Sequence, residues 1–288
     1  MPPSIATRLT STELRPEFVE GLTQLLALEV GQLQQHSPVV AMFATLSTVL
    51  QAPAAVLAPF RAAWTLMYAT IGRLDSLQDG DPIKAPPQLA SLGAHYNLVF
   101  ASYIVAASLL DDLAEEVAAA RLLRLQRWWN DCMLRMADGQ QHDLASADEP
   151  RAFDTLAVYQ QIAQAKTGAT YALAFGGIAM LLTDDETLVA GLIQVGEIFG
   201  TLVQYTDDLS DALSQPNAAL TLPELLQSLP LEGSRSPEQI ATAFWSYLYP
   251  IYLRAAREAL DGYPRLGDQI TALFAEVFTA QQTLQRTL

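Results

Sequence analysis

The sequence predicts an all-α protein, and three observations support this fold class. Apolar residues recur at helical spacing almost throughout, as in Leu22, Leu25, Leu26 and Val30. The strict alternation of apolar and polar residues that is typical of strands is nearly absent. Turn-forming residues interrupt the apolar stretches at intervals that leave roughly eight to ten helices with short connections. We therefore expect a large helical bundle.

The chain shows no shift in composition and no repeat of fixed period, so we expect one domain over residues 1–288, with a flexible N-terminus over 1–14. Helix breaks are predicted where Pro, Gly, Asp and Ser cluster. These breaks are Pro38, Gln51–Pro53, Gly80–Pro87, Asp138–Pro150, Thr183–Asp185, Ser214–Pro223 and Leu229–Pro237.

The composition excludes several classes of function. With 31 acidic and 16 basic residues the net charge is -15, which argues against binding nucleic acid, because that affinity comes from Lys and Arg neutralising phosphates. The same charge disfavours anionic membranes. Cys132 is the only cysteine, so a disulfide framework and a thiolate-rich zinc site are excluded. Together with the lack of a secretory signal pattern at the N-terminus, this predicts a cytoplasmic protein.

Two apolar stretches require a membrane check. The uncharged stretch from Gly31 to Phe60 is interrupted by prolines at three positions and by a polar cluster, which is unlike a lipid-facing helix. The second stretch, Ala169–Leu182, is too short to span a bilayer but is apolar on every face, which predicts burial at the centre of the bundle. We therefore expect no transmembrane segment.

The first acidic cluster follows the apolar helix that we expect to begin near Pro59. Asp75 and Asp79 are four residues apart, and on a helix this spacing places both carboxylates on one face, where they could hold a cation. Taken alone, the cluster is more typical of a solvated helix end before the turn at Gly80.

The second acidic cluster lies at the end of a long apolar helix. Asp207 and Asp211 share a face, Asp208 lies beside them, and Gln204 lies one turn earlier. Carboxylates are disfavoured at a helix C-terminus by the macrodipole, so something must compensate their charge. A divalent metal would do so, and magnesium prefers carboxylates completed by waters and phosphates. We therefore expect the two clusters to face one another across a metal and diphosphate site.

The chain has only two lysines, Lys84 and Lys166. Lys166 lies just before the apolar stretch Ala169–Leu182, and a buried ammonium group requires an anionic partner such as a phosphate. A surface lysine at a helix junction is the alternative interpretation.

In this order, the motifs resemble those of the trans-polyprenyl diphosphate synthase family, the class I isoprenoid synthases of the farnesyl and geranylgeranyl type. Asp75–Asp79 resembles the first aspartate-rich motif, DDxxD, with Ser76 in place of its second aspartate. Residues 204–211 match the second motif, QxxDDxxD, completely. Residues 139–144 are similar to the GQxxDL segment, Lys166-Thr167 to the KT pair, and residues 221–223 to the TLP stretch.

The resemblance implies the isoprenoid synthase fold, with a central hydrophobic pocket for the prenyl tail, and a homodimer. It also implies three magnesium ions that grip an allylic prenyl diphosphate. The implied metal ligands are Asp75, Asp79, Asp207 and Asp211. The implied catalytic set adds Asp208 and Lys166, and the implied substrate-binding residues are Lys84, Gln140, Lys166, Thr167, Gln204, Thr70 and Ile71. Asp208 and Gln204 would support the metal ligands.

Chain length in this family is limited by bulky residues one or two turns before the first motif. Thr70 and Ile71 occupy those turns, and neither is aromatic. We expect the tail to pass them and stop near Met67, Tyr68 or Trp64, which favours a fifteen- or twenty-carbon substrate.

The chain departs from the family where elongating members bind isopentenyl diphosphate. No Lys or Arg lies between Arg15 and Arg61, so the GKxxR motif is missing, and Lys84-Ala85-Pro86 stands at the RRG position.

The first interpretation is therefore an enzyme that ionises a prenyl diphosphate and lets the cation cyclise, lose a proton or meet water or another acceptor, as terpene synthases do. The second is a divergent prenyltransferase that binds isopentenyl diphosphate through other arginines, such as Arg61, Arg73 or Arg127. The third is a non-catalytic partner subunit.

Overall fold

The computed structural model describes residues 9, 13–33, 37–80, 91–148, 156–214, 239 and 242–285. These residues form ten α-helices and no strand, which confirms the predicted all-α class. The helices are α1 (Pro16–Leu33), α2 (Ser37–Val49), α3 (Ala54–Asp79), α4 (Leu92–Ser108), α5 (Ala119–Asp148), α6 (Leu156–Ala163), α7 (Ala169–Leu182), α8 (Glu186–Ser214), α9 (Tyr249–Glu258) and α10 (Pro264–Gln285). A 3₁₀ turn, Leu109–Leu113, follows α4, and π-helical turns, Gln164–Gly168 and Phe244–Leu248, precede α7 and α9.

The chain divides into two compact units, Met1–Gln126 and Arg127–Leu288. In the first unit, α3 packs against α1, α4 and the 3₁₀ turn. Its core is aromatic: the Trp64 ring contacts Phe43 edge-on, with the ring centroids 5.4 Å apart, and stacks on Tyr68 at 5.0 Å. Trp64 and Phe60 are completely buried.

The second unit is organised around the antiparallel pair α7 and α8. Every residue from Ala169 to Leu181 is buried, which confirms the burial predicted for this apolar stretch. The two helices approach to backbone contact, because a methyl group on Gly196 would lie only 2.6 Å from the carbonyl oxygen of Tyr171. Glycine is required at such a crossing, since any larger residue would push the helices apart.

Three helix boundaries differ from the sequence prediction. Helix α3 begins at Ala54, and Pro59 lies inside its second turn rather than at its start. Helix α5 continues through the break predicted at Asp138 and reaches Asp148, because no proline lies in this stretch and Gly139 faces a neighbouring turn that leaves no room for a side chain. The stretch Ala169–Leu182 is continuous with α6 through a π-helical turn and is therefore longer than we expected.

By length and composition, four helical segments of the described part could cross a membrane: Ala54–Asp79, Leu92–Leu113, Leu156–Leu182 and Glu186–Ser210. Of the 18 most apolar consecutive residues in each segment, 33% are buried in Leu92–Leu113 and 78% in Leu156–Leu182, the lowest and highest shares of the four. Burial inside the protein therefore accounts for most of the apolar surface of Leu156–Leu182. The absence of a transmembrane segment stays a prediction.

Candidate active site

The first acidic motif forms the C-terminal turn of α3. Asp75 is half-buried and Asp79 is exposed, and their spacing places them on one face of the helix. The helix ends directly after Asp79, because Gly80 adopts the left-handed conformation with φ 75° and donates its N–H to the carbonyl oxygen of Ser76. The glycine at this position is explained by that conformation, which other residues adopt at a cost.

A small cavity lies beside α3 in the first unit. Its walls include Leu25 and Leu66, together with Thr70 and the guanidinium group of Arg73, which is 8% exposed. The Thr70 hydroxyl donates to the carbonyl oxygen of Leu66 at 2.7 Å. Thr70 therefore lines this cavity, whereas Ile71 does not, and the expectation that the prenyl tail passes both residues stays a prediction.

The second acidic motif is part of a hydrogen-bonded cluster in the second unit. The Thr167 hydroxyl donates to Oε1 of Gln204 at 2.5 Å, and Nε2 of Gln204 donates to Oδ1 of Asp208 at 3.0 Å. The Tyr159 hydroxyl donates to Oδ2 of Asp208. Both oxygens of the Asp208 carboxylate are thus engaged by protein donors, and the cluster ties α6, the π-helical turn and α8 together.

Burial controls the acidity of this cluster. Burial raises the pKa of Asp208 to about 6, against the opposing effects of the hydrogen bonds from Tyr159 and Gln204. The Tyr159 pKa is raised well above its usual range, first by burial and then by the neighbouring Asp208 charge. Tyr159 is therefore a neutral donor at physiological pH.

Lys166 belongs to the π-helical turn Gln164–Gly168. Its side chain is only 15% exposed, and Nζ lies 2.6 Å from Oδ2 of Asp143 on α5. The interpretation of Lys166 as a surface lysine is therefore wrong, because the ammonium group is largely buried and has an anionic partner. Single π-helical turns are rare within helices and occur frequently at functional sites.

Two glycines, one on α5 and one on α8, allow these helices to pack closely against the backbone of the π-helical turn. A methyl group on Gly139 of α5 would lie 2.7 Å from the Lys166 nitrogen, and one on Gly200 of α8 would lie 2.4 Å from the Thr167 carbonyl oxygen. These distances are far below van der Waals contact, so both positions require glycine. The turn that carries Lys166 and Thr167 is fixed between α5 and α8 in this way.

Some of the remaining predicted site residues lie within the part of the chain that the structure describes, and others lie outside it. Asp207 is exposed at the end of α8, and Nε2 of Gln140 is buried without a hydrogen-bond acceptor among the described residues. Helix α8 includes Asp211, but its side chain lies outside what the structure describes. Lys84 and residues 221–223 also lie outside the described residues, as does most of the N-terminus for which we expected flexibility.

The donor chemistry suits magnesium. No group of three or more His, Cys, Asp or Glu side chains that could hold a metal ion occurs in the described part of the chain. Magnesium does not need such a group, because it binds through one or two carboxylates and completes its octahedron with waters and substrate phosphates. Asp75 with Asp79, and the exposed Asp207, fit this requirement as hard oxygen ligands.

Sequence reasoning assigned no role to Tyr159 or Asp143. Tyr159 lies seven residues before Lys166, which is two helical turns, and this spacing is the only signal that could have placed it near the KT pair. Asp143 is part of the GQxxDL segment, but its pairing with Lys166 across 23 residues has no signal in the spacing.

Known proteins resemble the chain in fold and, over part of its length, in sequence. The polyprenyl synthetase family matches residues 94–220. In fold, the chain is similar to a geranylgeranyl pyrophosphate synthetase from the archaeon Geoglobus acetivorans, with 17% identity, a TM-score of 0.72, and coverage of 95% of this chain and 97% of that one. It is also similar to a geranyltransferase from Legionella pneumophila, with 16% identity, a TM-score of 0.73, and coverage of 99% and 93%.

A third solved structure, a polyprenyl synthetase from Streptomyces coelicolor A3(2), gives 20% identity, a TM-score of 0.70, and coverage of 95% and 96%. No curated protein sequence matches the chain. The fold and the family match together define an enzyme of the isoprenoid synthase superfamily. Within it, the match over residues 94–220 agrees with the family that the motifs resemble, the polyprenyl synthetases. The matched segment contains Lys166 and the whole second motif, whereas the first motif lies before it.

Proposed function

We propose that the protein is a magnesium-dependent prenyltransferase, which ionises an allylic prenyl diphosphate of fifteen or twenty carbons and joins the cation to isopentenyl diphosphate or a similar acceptor. The observation that carries this proposal is the polar cluster built around Lys166 and Asp208 inside the segment that matches the polyprenyl synthetases. This interpretation is the second of the three that the sequence left open.

Each residue of the cluster has a role in this proposal. Lys166 binds oxygens of the allylic diphosphate and neutralises charge that develops as the carbon–oxygen bond breaks. The buried amide of Gln140 supplies a donor that lacks an acceptor within the described chain. Asp75, Asp79, Asp207 and Asp211 hold magnesium, which supplies Lewis-acid neutralisation of the leaving diphosphate when it is bound.

The family match favours prenyl transfer over the terpene synthase-like interpretation. The similar solved structures carry names that describe prenyl transfer, among them a geranylgeranyl pyrophosphate synthetase and a geranyltransferase. Their identities to this chain are under 25%, so they support the fold, and the choice between the reactions rests on the family match.

A cation that reacts without isopentenyl diphosphate remains the second candidate, and one observation favours it. Residues 16–60 contain no Lys or Arg, so the usual cationic site for a second diphosphate is missing. Arg73 is the described cation closest in sequence to the first motif, and it is largely buried beside the cavity of the first unit. A non-catalytic subunit is less well supported, because such a subunit does not require a buried lysine–carboxylate pair at the family's KT position.

We also propose a homodimer. Helix α4 carries an exposed apolar stripe at a spacing of four residues, formed by Leu92, Tyr96, Phe100 and Ile104, whose exposed fractions are 38–64%. Large exposed apolar stripes are rare on monomers. A mass measurement in solution, with Phe100→Glu as the disrupting variant and the exposed Leu134→Glu on α5 as the matched control, tests this proposal. A monomeric unchanged protein would contradict it.

The reaction is tested with purified protein, magnesium, and ten-, fifteen- and twenty-carbon allylic diphosphates, each with and without isopentenyl diphosphate. We expect a longer prenyl diphosphate only when isopentenyl diphosphate is present. Hydrocarbon or alcohol products that form equally without it would favour the second candidate. No consumption of any allylic diphosphate would contradict both, and a strong preference for the ten-carbon substrate would contradict the expected chain length.

A further inference from the structure

We infer that Tyr159 is a positioning residue for the second acidic motif: its hydroxyl group fixes the Asp208 carboxylate, so that the end of α8 presents Asp207 in the orientation that binding of metal and diphosphate requires. This inference rests on the proposed function and adds a residue to it.

The Asp208 carboxylate is occupied on both sides. Tyr159 donates to Oδ2 and Gln204 donates to Oδ1, and Gln204 in turn accepts from Thr167. A carboxylate whose two oxygens already accept hydrogen bonds from protein groups acts as an anchor within the protein. Asp207, its neighbour in sequence, is exposed, and successive residues on a helix point about 100° apart. The bonds that tie Asp208 to α6 and to the π-helical turn therefore hold the end of α8 in place, and with it the point from which Asp207 projects.

The ring of Tyr159 is itself held in place. It stacks on Tyr205, with the ring centroids 5.4 Å apart and the planes inclined by 28°. Tyr205 is completely buried, and its hydroxyl lies 3.0 Å from that of Tyr252, which also accepts from Gln160 at 3.3 Å. Tyr159 therefore cannot swing away from Asp208 without breaking an aromatic stack, and its hydroxyl is a preorganised donor.

The position of Tyr159 links the motif to the KT pair. Tyr159 lies on α6, which continues directly into the π-helical turn that carries Lys166 and Thr167. The bonds from Tyr159 and from Thr167 through Gln204 thus reach Asp208 from two points of one continuous segment. Loss of the Tyr159 bond removes one of these two restraints and leaves Oδ2 of Asp208 without this donor.

The test replaces Tyr159 with Phe, which removes only the hydroxyl group. Tyr263→Phe is the matched control, because it removes a hydroxyl that donates to a carboxylate outside this cluster, that of Asp185. Binding of inorganic pyrophosphate with magnesium is measured by calorimetry, and the magnesium concentration that gives half-maximal turnover is measured alongside it. A thermal melt followed by circular dichroism checks that each variant is folded.

We expect Tyr159→Phe to weaken binding of magnesium pyrophosphate about tenfold, as the loss of one hydrogen bond to a charged group implies. It should raise the half-maximal magnesium concentration to a similar extent, while Tyr263→Phe stays close to the unchanged protein. Equal binding by Tyr159→Phe and the unchanged protein would overturn the inference and leave the proposed function standing. No binding by the unchanged protein would overturn the proposed function itself.

A second variant covers the case in which Tyr159→Phe does not fold. Asp208→Asn keeps the Tyr159 hydroxyl and the size of the side chain, but it replaces one acceptor oxygen by a donor. We expect the same weakening of magnesium pyrophosphate binding in Asp208→Asn. Undiminished binding in this variant would overturn the inference in the same way.

Discussion

The Nζ atom of Lys166 lies 2.6 Å from Oδ2 of Asp143, a residue 23 positions earlier in the chain. The lysine side chain is 15% exposed, so this carboxylate is the anion that accompanies a largely buried ammonium group. The pair holds the lysine within the cluster that also contains Gln204 and Asp208 before any diphosphate arrives.

Lys166→Gln should weaken binding of the allylic diphosphate roughly 10- to 100-fold, the loss expected for one or two charge-assisted hydrogen bonds. It should also lower the melting temperature, because Asp143 loses its cation. The double variant Asp143→Asn, Lys166→Gln should recover stability without recovering affinity, as measured by thermal melts and calorimetry. Restored affinity in the double variant would contradict the role of Lys166 as a diphosphate ligand.

Gly200→Ala should destabilise the protein by about 1–3 kcal/mol, the usual cost of overpacking, because the new methyl group would lie 2.4 Å from a backbone oxygen that cannot rotate away. Gly72→Ala on α3 is the matched control, since nothing lies within 4 Å of its added methyl group. There the better helix propensity of alanine should raise stability by up to about 1 kcal/mol. Denaturant unfolding of both variants measures the difference, and equal effects would contradict the close packing of α8 on the π-helical turn.

Asp208 should make stability depend on pH. Its pKa is raised to about 6 in the folded protein, from an ordinary value of 3.8. Between these two values the folded state holds a proton that the unfolded chain releases, so the free energy of unfolding falls as the pH rises through this window. In metal-free buffer, the free energy of unfolding of Asp208→Asn should lack the part of the pH dependence that comes from this carboxyl group. Relative to the unchanged protein, the free energy of unfolding of the variant should therefore be higher at pH 7.5 than at pH 4.5. A difference in this free energy that is independent of pH would contradict the raised pKa of Asp208.

Cys132 should be unreactive in the native protein. Its side chain is completely buried, and burial raises the pKa of its thiol to about 12, so almost no thiolate is present at neutral pH. A thiol-specific reagent should modify it only after denaturant unfolds the chain, as followed by mass spectrometry. Rapid modification without denaturant would contradict the packing of α5 in the second unit.

Much of the fold could be predicted from local sequence. The helical periodicity and the apolar stretch Ala169–Leu182 gave the all-α class and the buried helix, because both depend on neighbours within a few turns. The break predicted at Asp138 was wrong for a nonlocal reason. Gly139 looks like a helix breaker in sequence, but it is the point at which α5 contacts the Lys166 backbone.

The candidate site divides in the same way. Asp75, Asp79, Lys166, Gln204 and Asp207 could be selected from spacing and from the order of the motifs. Tyr159 and Asp143 could not, because their roles depend on contacts between α6 and α8 and between the π-helical turn and α5. Nothing in the sequence indicates that both oxygens of the half-buried Asp208 accept hydrogen bonds, while Asp207 beside it is exposed.

The central claim is that both acidic motifs act on an allylic diphosphate, and the release of pyrophosphate with magnesium present tests it most directly. The rate is measured for the unchanged protein, Asp75→Ala, Asp207→Ala and the control Ser76→Asp, each shown to be folded by its melting curve. We predict that both alanine variants abolish release and that Ser76→Asp retains it, since the end positions of the motif are the expected metal ligands. Undiminished release in Asp75→Ala or in Asp207→Ala would contradict the assignment of that motif.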